Sequence, residues 1–283
     1  MLLFTSSAFA EEVDVFILSG QSNMEGLGIF SQLKNKDIPK NVFFYDIKSS
    51  DFKVLNPSKM KCGYKPGKFG PEWGFAQKYS KLNPGRKVYL IKWARSGQPL
   101  HHGWNSNKKW MGPKPGPKRT NFYPGEKAGD KNTGILYKGL KAHCLKALKK
   151  LQTQKIDYKI KGILWMQGEA DAKHKTSATE YAASLKRLKN RLQEDLNCED
   201  VPFVFGQVLP HTPCNPRFTH RKEIREAMAA ADNRSAKKEA IPNVWMVPTE
   251  NMPLASDTVH YNTIGSTKLG EAFAQTMHEA CKK

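Results

Sequence analysis

Val13-Asp14-Val15-Phe16-Ile17-Leu18-Ser19-Gly20-Gln21-Ser22-Asn23-Met24-Glu25-Gly26 is the stretch from which the rest of the chain can be read. Val13 to Leu18 is β-branched and aromatic and ends at Ser19-Gly20, the pattern of a buried strand followed by a turn. In open parallel sheets, sites gather beyond the carboxyl ends of the strands. A serine just past a strand, in a glycine turn that opens a helix, can present its hydroxyl while its own N–H faces an oxyanion. The plainer alternative is that Ser22 caps a helix. Gly-x-Ser-x-x-x-Gly also differs from the Gly-x-Ser-x-Gly elbow of the α/β-hydrolases.

Outward from this stretch, strand-like and helix-like runs alternate. Val42–Tyr45, Val88–Ile91, Ile160–Met166, Phe203 through Leu209 and Val244–Val247 read as strands. Pro71 to Leu82 reads as a helix opened by proline and closed near Asn83-Pro84-Gly85. Leu136, Leu140, Cys144, Leu148 and Leu151 recur at helical spacing. So do Tyr181, Leu185, Leu188 and Leu192; Glu223–Ala231 and Ser266–Cys281 complete the set. This alternation predicts a parallel sheet covered on both faces. No repeat and no second hydrophobic block appears, so residues 11–283 are expected to form one domain. His101 to Lys131 stands apart as a basic insert with Trp104, Trp110, Phe122 and Tyr123 and no periodicity. Loops of this length in a compact domain are functional or disordered, and the tryptophans argue against disorder.

The 283 residues carry 46 Lys and Arg against 26 Asp and Glu, a formal charge of +20. Such a surface attracts polyanions through a field that salt weakens. The lysines run from Lys34 to Lys283 without an RNA-binding signature, which disfavours nucleic acid and leaves anionic lipid, acidic polysaccharide or a solvated surface with no specific partner open. No run of 18 apolar residues is present, so no transmembrane helix is expected. MLLFTSSAFA at residues 1–10 ends in Ala8-Phe9-Ala10, a small-x-small cleavage pattern after an apolar stretch. It reads as a truncated signal peptide and a secreted or periplasmic protein, although a basic start is lacking. The five cysteines (62, 144, 198, 214 and 281) permit one or two disulfides without defining a pairing, and no Cys-x-x-Cys suggests zinc or redox chemistry.

Four constellations carry chemistry. Ser22 follows the first strand. Trp93-Ala94-Arg95-Ser96-Gly97 follows the strand at 88–91, and Gly97 can offer an N–H to the same oxyanion. Trp165-Met166-Gln167-Gly168-Glu169-Ala170-Asp171 follows the strand at 160–166; Gln167 can donate a third hydrogen bond, and Glu169 and Asp171 are acids beside the site or caps of the next helix. Asp257-Thr258-Val259-His260 precedes the last helix, where Asp257 can hold the imidazole tautomer while the other nitrogen meets Ser22. Each alone is weak. Together they are not weak, because each falls at the end of a different predicted strand or at the start of the last helix, in chain order. No cofactor or metal is expected, since no His-Glu-x-x-His or equivalent cluster occurs.

Gly20-Gln21-Ser22-Asn23-Met24, Gly70-Pro71-Glu72-Trp73-Gly74-Phe75-Ala76, Trp165-x-Gln167-Gly168-Glu169-x-Asp171 and Asp257-x-x-His260 resemble the sialate O-acetylesterase-like enzymes. These include carbohydrate esterase family 6, within the SGNH-hydrolase superfamily. The resemblance extends from Val13 to about Ala280. It implies a three-layer α/β/α sandwich, flavodoxin-like, with a central parallel sheet of about five strands, and hydrolysis of acetyl esters on sugars. Carried over, it makes Ser22 the nucleophile and His260 the base, with an oxyanion hole of Ser22 N–H, Gly97 N–H and the Gln167 side chain. Asp257 has the superfamily spacing for the acid; Glu169 is the alternative, and both stay open. Gln98-Pro99 departs from the Thr/Ser-x-Leu run common in the family, and the basic insert departs too, so the sugar itself is not specified.

Gln21 and Asn23, beside the nucleophile, and Trp104, Trp110 and Tyr123 in the insert are expected at the substrate. Aromatic faces stack on sugar rings and the nearby lysines suit acidic glycans. The insert could equally be a surface loop packed by its own aromatics. Two rival functions remain: a broader esterase for lipid or aryl esters, and a non-catalytic module that binds acidic polysaccharide.

Overall fold

The computed structural model describes residues 12–198, 200–212 and 214–282, so the expected signal peptide lies outside the described residues. A mixed sheet of seven strands forms the middle layer. Its strands are β1 Val13–Gly20, β2 Val42–Asp46, β3 Asp51–Val54, β4 Val88–Ala94, β5 Tyr158–Met166, β6 Phe203–Gly206 and β7 Val244–Val247. The order across the sheet is β7-β6-β5-β1-β4-β2-β3. All pairs are parallel except β2 with β3. The expected helix-covered, mostly parallel sheet is present, with seven strands where about five were expected. The β3 edge was missed because Asp51–Val54 is short and partly exposed, with little hydrophobic signal. The strand read through Leu209 stops at Gly206.

β1 is buried at every residue, as befits the central strand of a parallel sheet whose two faces are both covered. Five helices cover the faces: α1 Pro71–Leu82, α2 Ile135–Thr153, α3 Tyr181–Leu196, α4 Arg221–Ala231 and α5 Thr263–Ala280. Successive strand residues point to opposite faces, and β5 shows the two layers. Trp165 Nε1 donates to Tyr181 Oη of α3 at 3.1 Å. Gly162, an odd number of residues away, faces Met277 of α5. α1 and α5 pack closely on one face. A Cβ added at Gly74 would lie 2.0 Å from Thr267 O, and one at Gly270 would lie 2.0 Å from Pro71 O. The glycine of the Glu72-Trp73-Gly74 run is thus a helix-contact residue.

Register decides where the site lies. Gly20 pairs with Ala94 of β4 and with Met166 of β5, so three strand ends are level. The turns that leave them carry Ser22, Gly97 and Gln167. The chain runs from β1 outward to one side (β2, β4) and returns to the other (β5, β6, β7). The reversal falls at β1, the switch point where open α/β sheets form their crevice.

The basic insert is ordered. Trp104-Asn105 pairs antiparallel with Lys109-Trp110, and Phe122 sits edge-on to Trp165 at 5.3 Å between ring centroids. All five cysteines are free. Burial pushes the Cys198 thiol up to about 12, which keeps it unreactive. No described helix is long and apolar enough to cross a membrane.

Candidate active site

Gly20 ends β1 with φ at +146°, and a Cβ there would sit 2.0 Å from Met166 O. Only glycine lets the chain turn this close to β5. Ser22 then opens a single helical turn, Ser22–Glu25. The first N–H groups of such a turn have no acceptor within it. At the other end, Lys92 Nζ donates to Met24 O at 3.3 Å and Glu25 O at 3.1 Å, and forms an ion pair with Glu72 at 2.6 Å. Glu72 Oε1 in turn accepts the Gly70 N–H at 2.8 Å. The Gly70-Pro71-Glu72 motif thereby supplies the counter-charge for the cation that gathers the turn's carbonyls.

Two acids hold the neighbouring loops. Glu25 Oε2 accepts the Ser96 N–H at 3.1 Å and its hydroxyl at 2.5 Å, which ties the loop before Gly97 to the serine turn. Asp171 accepts from Leu100 N at 2.8 Å, His101 N at 3.1 Å and Gln167 Nε2 at 2.6 Å. Burial raises the Asp171 carboxyl to about 6, against the pull of these hydrogen bonds.

The last contribution comes from the turn before α5. His260 Nε2 lies 2.9 Å from Ser22 Oγ, and His260 Nδ1 lies 2.5 Å from Asp257 Oδ2. Asp257 Oδ1 also accepts the N–H groups of Val259 and His260, both at 2.9 Å. Burial opposes ionisation of Asp257, but these backbone groups and the imidazole outweigh it and hold the carboxyl below its usual range. Such an array can move a proton from the hydroxyl to the imidazole while the carboxylate steadies the cation that forms.

Glu169 takes no part in that line. It is buried, and its Oε1 accepts from Asn23 Nδ2 at 2.7 Å. Burial pushes its carboxyl up, despite the Asn23 amide and the positive groups nearby. Of the two acids left open by the sequence, Asp257 touches the imidazole.

A cleft of about 390 Å³ opens over Ser22 and His260. Gln21 and Gly97 line it, as do Glu169 and Ala170. Four expected residues are elsewhere and a fifth is spoken for. Gln167 is fully buried, and its amide donates to Asp171 and, at 3.1 Å, to Gln98 O. It is braced for the 98–101 loop and has no N–H left for an oxyanion. Asn23 is 5% exposed with all its polar atoms engaged inside the protein. Trp104 is buried, with Nε1 donating to Ser177 Oγ at 3.0 Å. Trp110 stacks on His174 at 3.8 Å between centroids. Tyr123 is buried, donating to Glu126 at 2.6 Å under the Arg187 guanidinium. None of these five lines the cleft; the insert's aromatics pack it onto the body, and Asn107 is the insert residue that reaches the opening.

The residues that do form the outer cleft were not singled out from sequence: Leu27, Tyr64, Lys173, Arg217 and Phe218. Tyr64 is 54% exposed. Burial and the charges of Arg217 and Lys108 push the Lys173 ammonium down, and among the described residues neither Lys173 nor Arg217 has a carboxylate in ion-pair contact. Arg217 and Phe218 follow β6, so the carboxyl-end rule was the signal available for them. Among the described residues no group of three His, Cys, Asp or Glu side chains is placed to hold a metal ion.

Comparison with known proteins matches residues 12–279 to the family model described as carbohydrate esterase, sialic acid-specific acetylesterase. A protein of Arabidopsis thaliana described as a probable carbohydrate esterase is 26% identical over 275 residues, or 92% of this chain and 88% of that protein. A solved Arabidopsis thaliana structure superposes with a TM-score of 0.68 at 20% identity, covering 94% of this chain and 98% of that one. A carbohydrate acetylesterase of Xanthomonas citri gives a TM-score of 0.59 at 16% identity, covering 95% of this chain and 57% of that one. The two superpositions speak to the fold.

Proposed function

Given that this chain belongs to the carbohydrate esterase family of the sialic acid-specific acetylesterases, we propose that it removes O-acetyl groups from sugars through Ser22, His260 and Asp257. The observation that carries the reading is the unbroken line Ser22 Oγ, His260, Asp257, with a contact of 2.9 Å between Ser22 and His260, 238 positions apart, and one of 2.5 Å between His260 and Asp257.

His260 Nε2 takes the Ser22 proton as Oγ attacks the acetyl carbonyl. The oxyanion forms against the N–H groups of Ser22 and Gly97, each such donor being worth on the order of 3 kcal/mol in the barrier. The bond to the sugar oxygen then breaks, His260 returns the proton to that oxygen, and acetyl-Ser22 remains. Water attacks it, with His260 again taking the proton, and acetate leaves as Ser22 is restored. Gln21, whose Oε1 accepts the Ala170 N–H at 3.3 Å, borders the acetyl site.

The substrate is read from the outer cleft. Tyr64 is exposed, and Lys173 with Arg217 offers positive charge that, among the described residues, is not in ion-pair contact with a carboxylate, although Glu169 acts on both through space. These groups favour an acetylated sugar that carries a negative charge, within the polyanion attraction of a +20 chain. Acetate release from acidic and neutral acetylated glycans, compared on one enzyme preparation, tests this. A preference for neutral glycans would overturn the substrate part and leave the chemistry standing. Activity that persists or rises on longer acyl chains would instead favour the broad lipid or aryl esterase. Failure of Ser22 to react with a fluorophosphonate would favour the binding module. Export to the periplasm or outside the cell rests on Ala8-Phe9-Ala10, and sequencing the amino terminus of the mature protein checks it: cleavage after Ala10 is expected.

A further inference from the structure

Asn23 and Glu169 are not members of the Ser22–His260–Asp257 line, yet they sit against it with their hydrogen bonds directed inward. Asn23 is joined to the nucleophile by the peptide bond. Its Oδ1 accepts the Tyr261 N–H at 3.0 Å, and its Nδ2 donates to Val259 O at 3.1 Å and to Glu169 Oε1 at 2.7 Å. Tyr261 and Val259 are the residues on either side of His260. One amide side chain therefore grips the base's backbone before and after the imidazole.

We infer that Asn23, held in orientation by Glu169, is a positioning residue that sets the distance between the Ser22 hydroxyl and the His260 imidazole. The inference rests on the Ser22–His260 reading of the site. A primary amide has two N–H hydrogens and a carbonyl, and here the surroundings fix which end is which. Val259 O and the Glu169 carboxylate can only be met by Nδ2, and the Tyr261 N–H can only be met by Oδ1. Glu169 makes the wrong rotamer costly by leaving a buried carboxylate oxygen against the amide oxygen. Without the bracket, the two turns that carry nucleophile and base are joined at this point by the Oγ–Nε2 contact itself, which must loosen in every catalytic cycle.

The arrangement also gives Glu169 a role other than triad acid. Its contact with the base runs through Asn23 and not through the imidazole. Its second oxygen, Oε2, is buried without a hydrogen-bond partner among the described residues, so the group is retained at a desolvation cost. An acceptor at Oε1 is what the bracket requires, and a neutral amide oxygen supplies it as well as a carboxylate does.

The test compares Asn23→Ala, Asn23→Asp, Glu169→Gln and Glu169→Ala with the unaltered protein, each checked for folding by circular dichroism and assayed well below its own melting temperature. Misplacement of reacting groups by about 1 Å can cost on the order of 10²-fold in rate. Asn23→Ala is expected to lose about that much in kcat with little change in KM, and to slow fluorophosphonate labelling of Ser22 in parallel. Asn23→Asp, an acceptor only and set against Glu169, is expected to do no better. Glu169→Gln is expected to lose far less than Glu169→Ala, because its side-chain carbonyl still receives the Asn23 amide. Near-normal kcat and labelling in folded Asn23→Ala would overturn the inference. So would equal losses in Glu169→Gln and Glu169→Ala, which would assign the carboxylate charge a direct part. An unaltered protein that neither hydrolyses acetyl esters nor labels would sink the underlying esterase reading instead, so the two failures are told apart.

Discussion

At the residue scale, Asp257 bonds one imidazole nitrogen while the other meets Ser22, which leaves little freedom in how the three groups work. Asp257→Asn places an amide against Nδ1 and favours the tautomer with its proton on Nε2, facing a hydroxyl that must give a proton up. Loss of kcat by up to about 10⁴-fold is expected from that error, measured on a chromogenic acetyl ester. Because the Asp257 carboxyl is held below its usual range, it stays ionised as pH falls through roughly 4. The plot of kcat/KM against pH is therefore expected to show no inflection from this acid above that point. The Asp257-x-x-His260 spacing made the pair legible in the sequence. The choice between Asp257 and Glu169 was not legible, because both acids lie in turns whose direction no periodicity reports. Asn23 shows the same limit: its place next to Ser22 suggested a substrate contact, and its side chain turns inward.

At the scale of elements, the level ends of β1, β4 and β5 place the three turns, and acids tie the turns together. Asp171 is the clearest case. Its carboxyl titrates near 4 in an unfolded chain and at about 6 in the fold. Between those values the native state keeps a proton that the unfolded chain has released. The contribution of Asp171 to stability is thus largest below the unfolded value and declines as pH rises through the window. Asp171→Asn removes that slope. Denaturation curves from pH 4 to 6 are expected to show a less negative dependence of unfolding free energy on pH in the variant. The same substitution leaves the Leu100 and His101 N–H groups short of one acceptor, so a lower kcat from a looser 98–101 loop should accompany it. The contact between α1 and α5 gives a second prediction. Gly270→Val drives a side chain into the Pro71 carbonyl and should destabilise by roughly 1–3 kcal/mol, read as a lower denaturation midpoint. Strands and long helices were legible because their hydrophobic periods are strong. β3 and the fate of the insert were not, since aromatic composition does not say whether a loop folds onto its own protein or opens toward a ligand.

For the whole molecule, the sheet puts a switch point, three turns and a helix start around one cleft, in a chain whose formal charge is +20. Steering by such a field acts at long range and is screened within about 10 Å at 0.1 M salt. Raising ionic strength should therefore lower kcat/KM for an acidic acetylated glycan while leaving a neutral acetyl ester almost unaffected. Lys173→Ala combined with Arg217→Ala should reduce that salt dependence and raise KM for the acidic substrate selectively. Equal salt responses for the two substrates would assign the charge to the surface at large.

The most direct measurement is covalent labelling by a fluorophosphonate followed by peptide mapping, run beside acetyl ester hydrolysis on Ser22→Ala. One adduct on the peptide that contains Ser22, blocked turnover, and no turnover from folded Ser22→Ala are expected. Full hydrolysis by Ser22→Ala, or an adduct on another residue with the activity lost, would contradict the account.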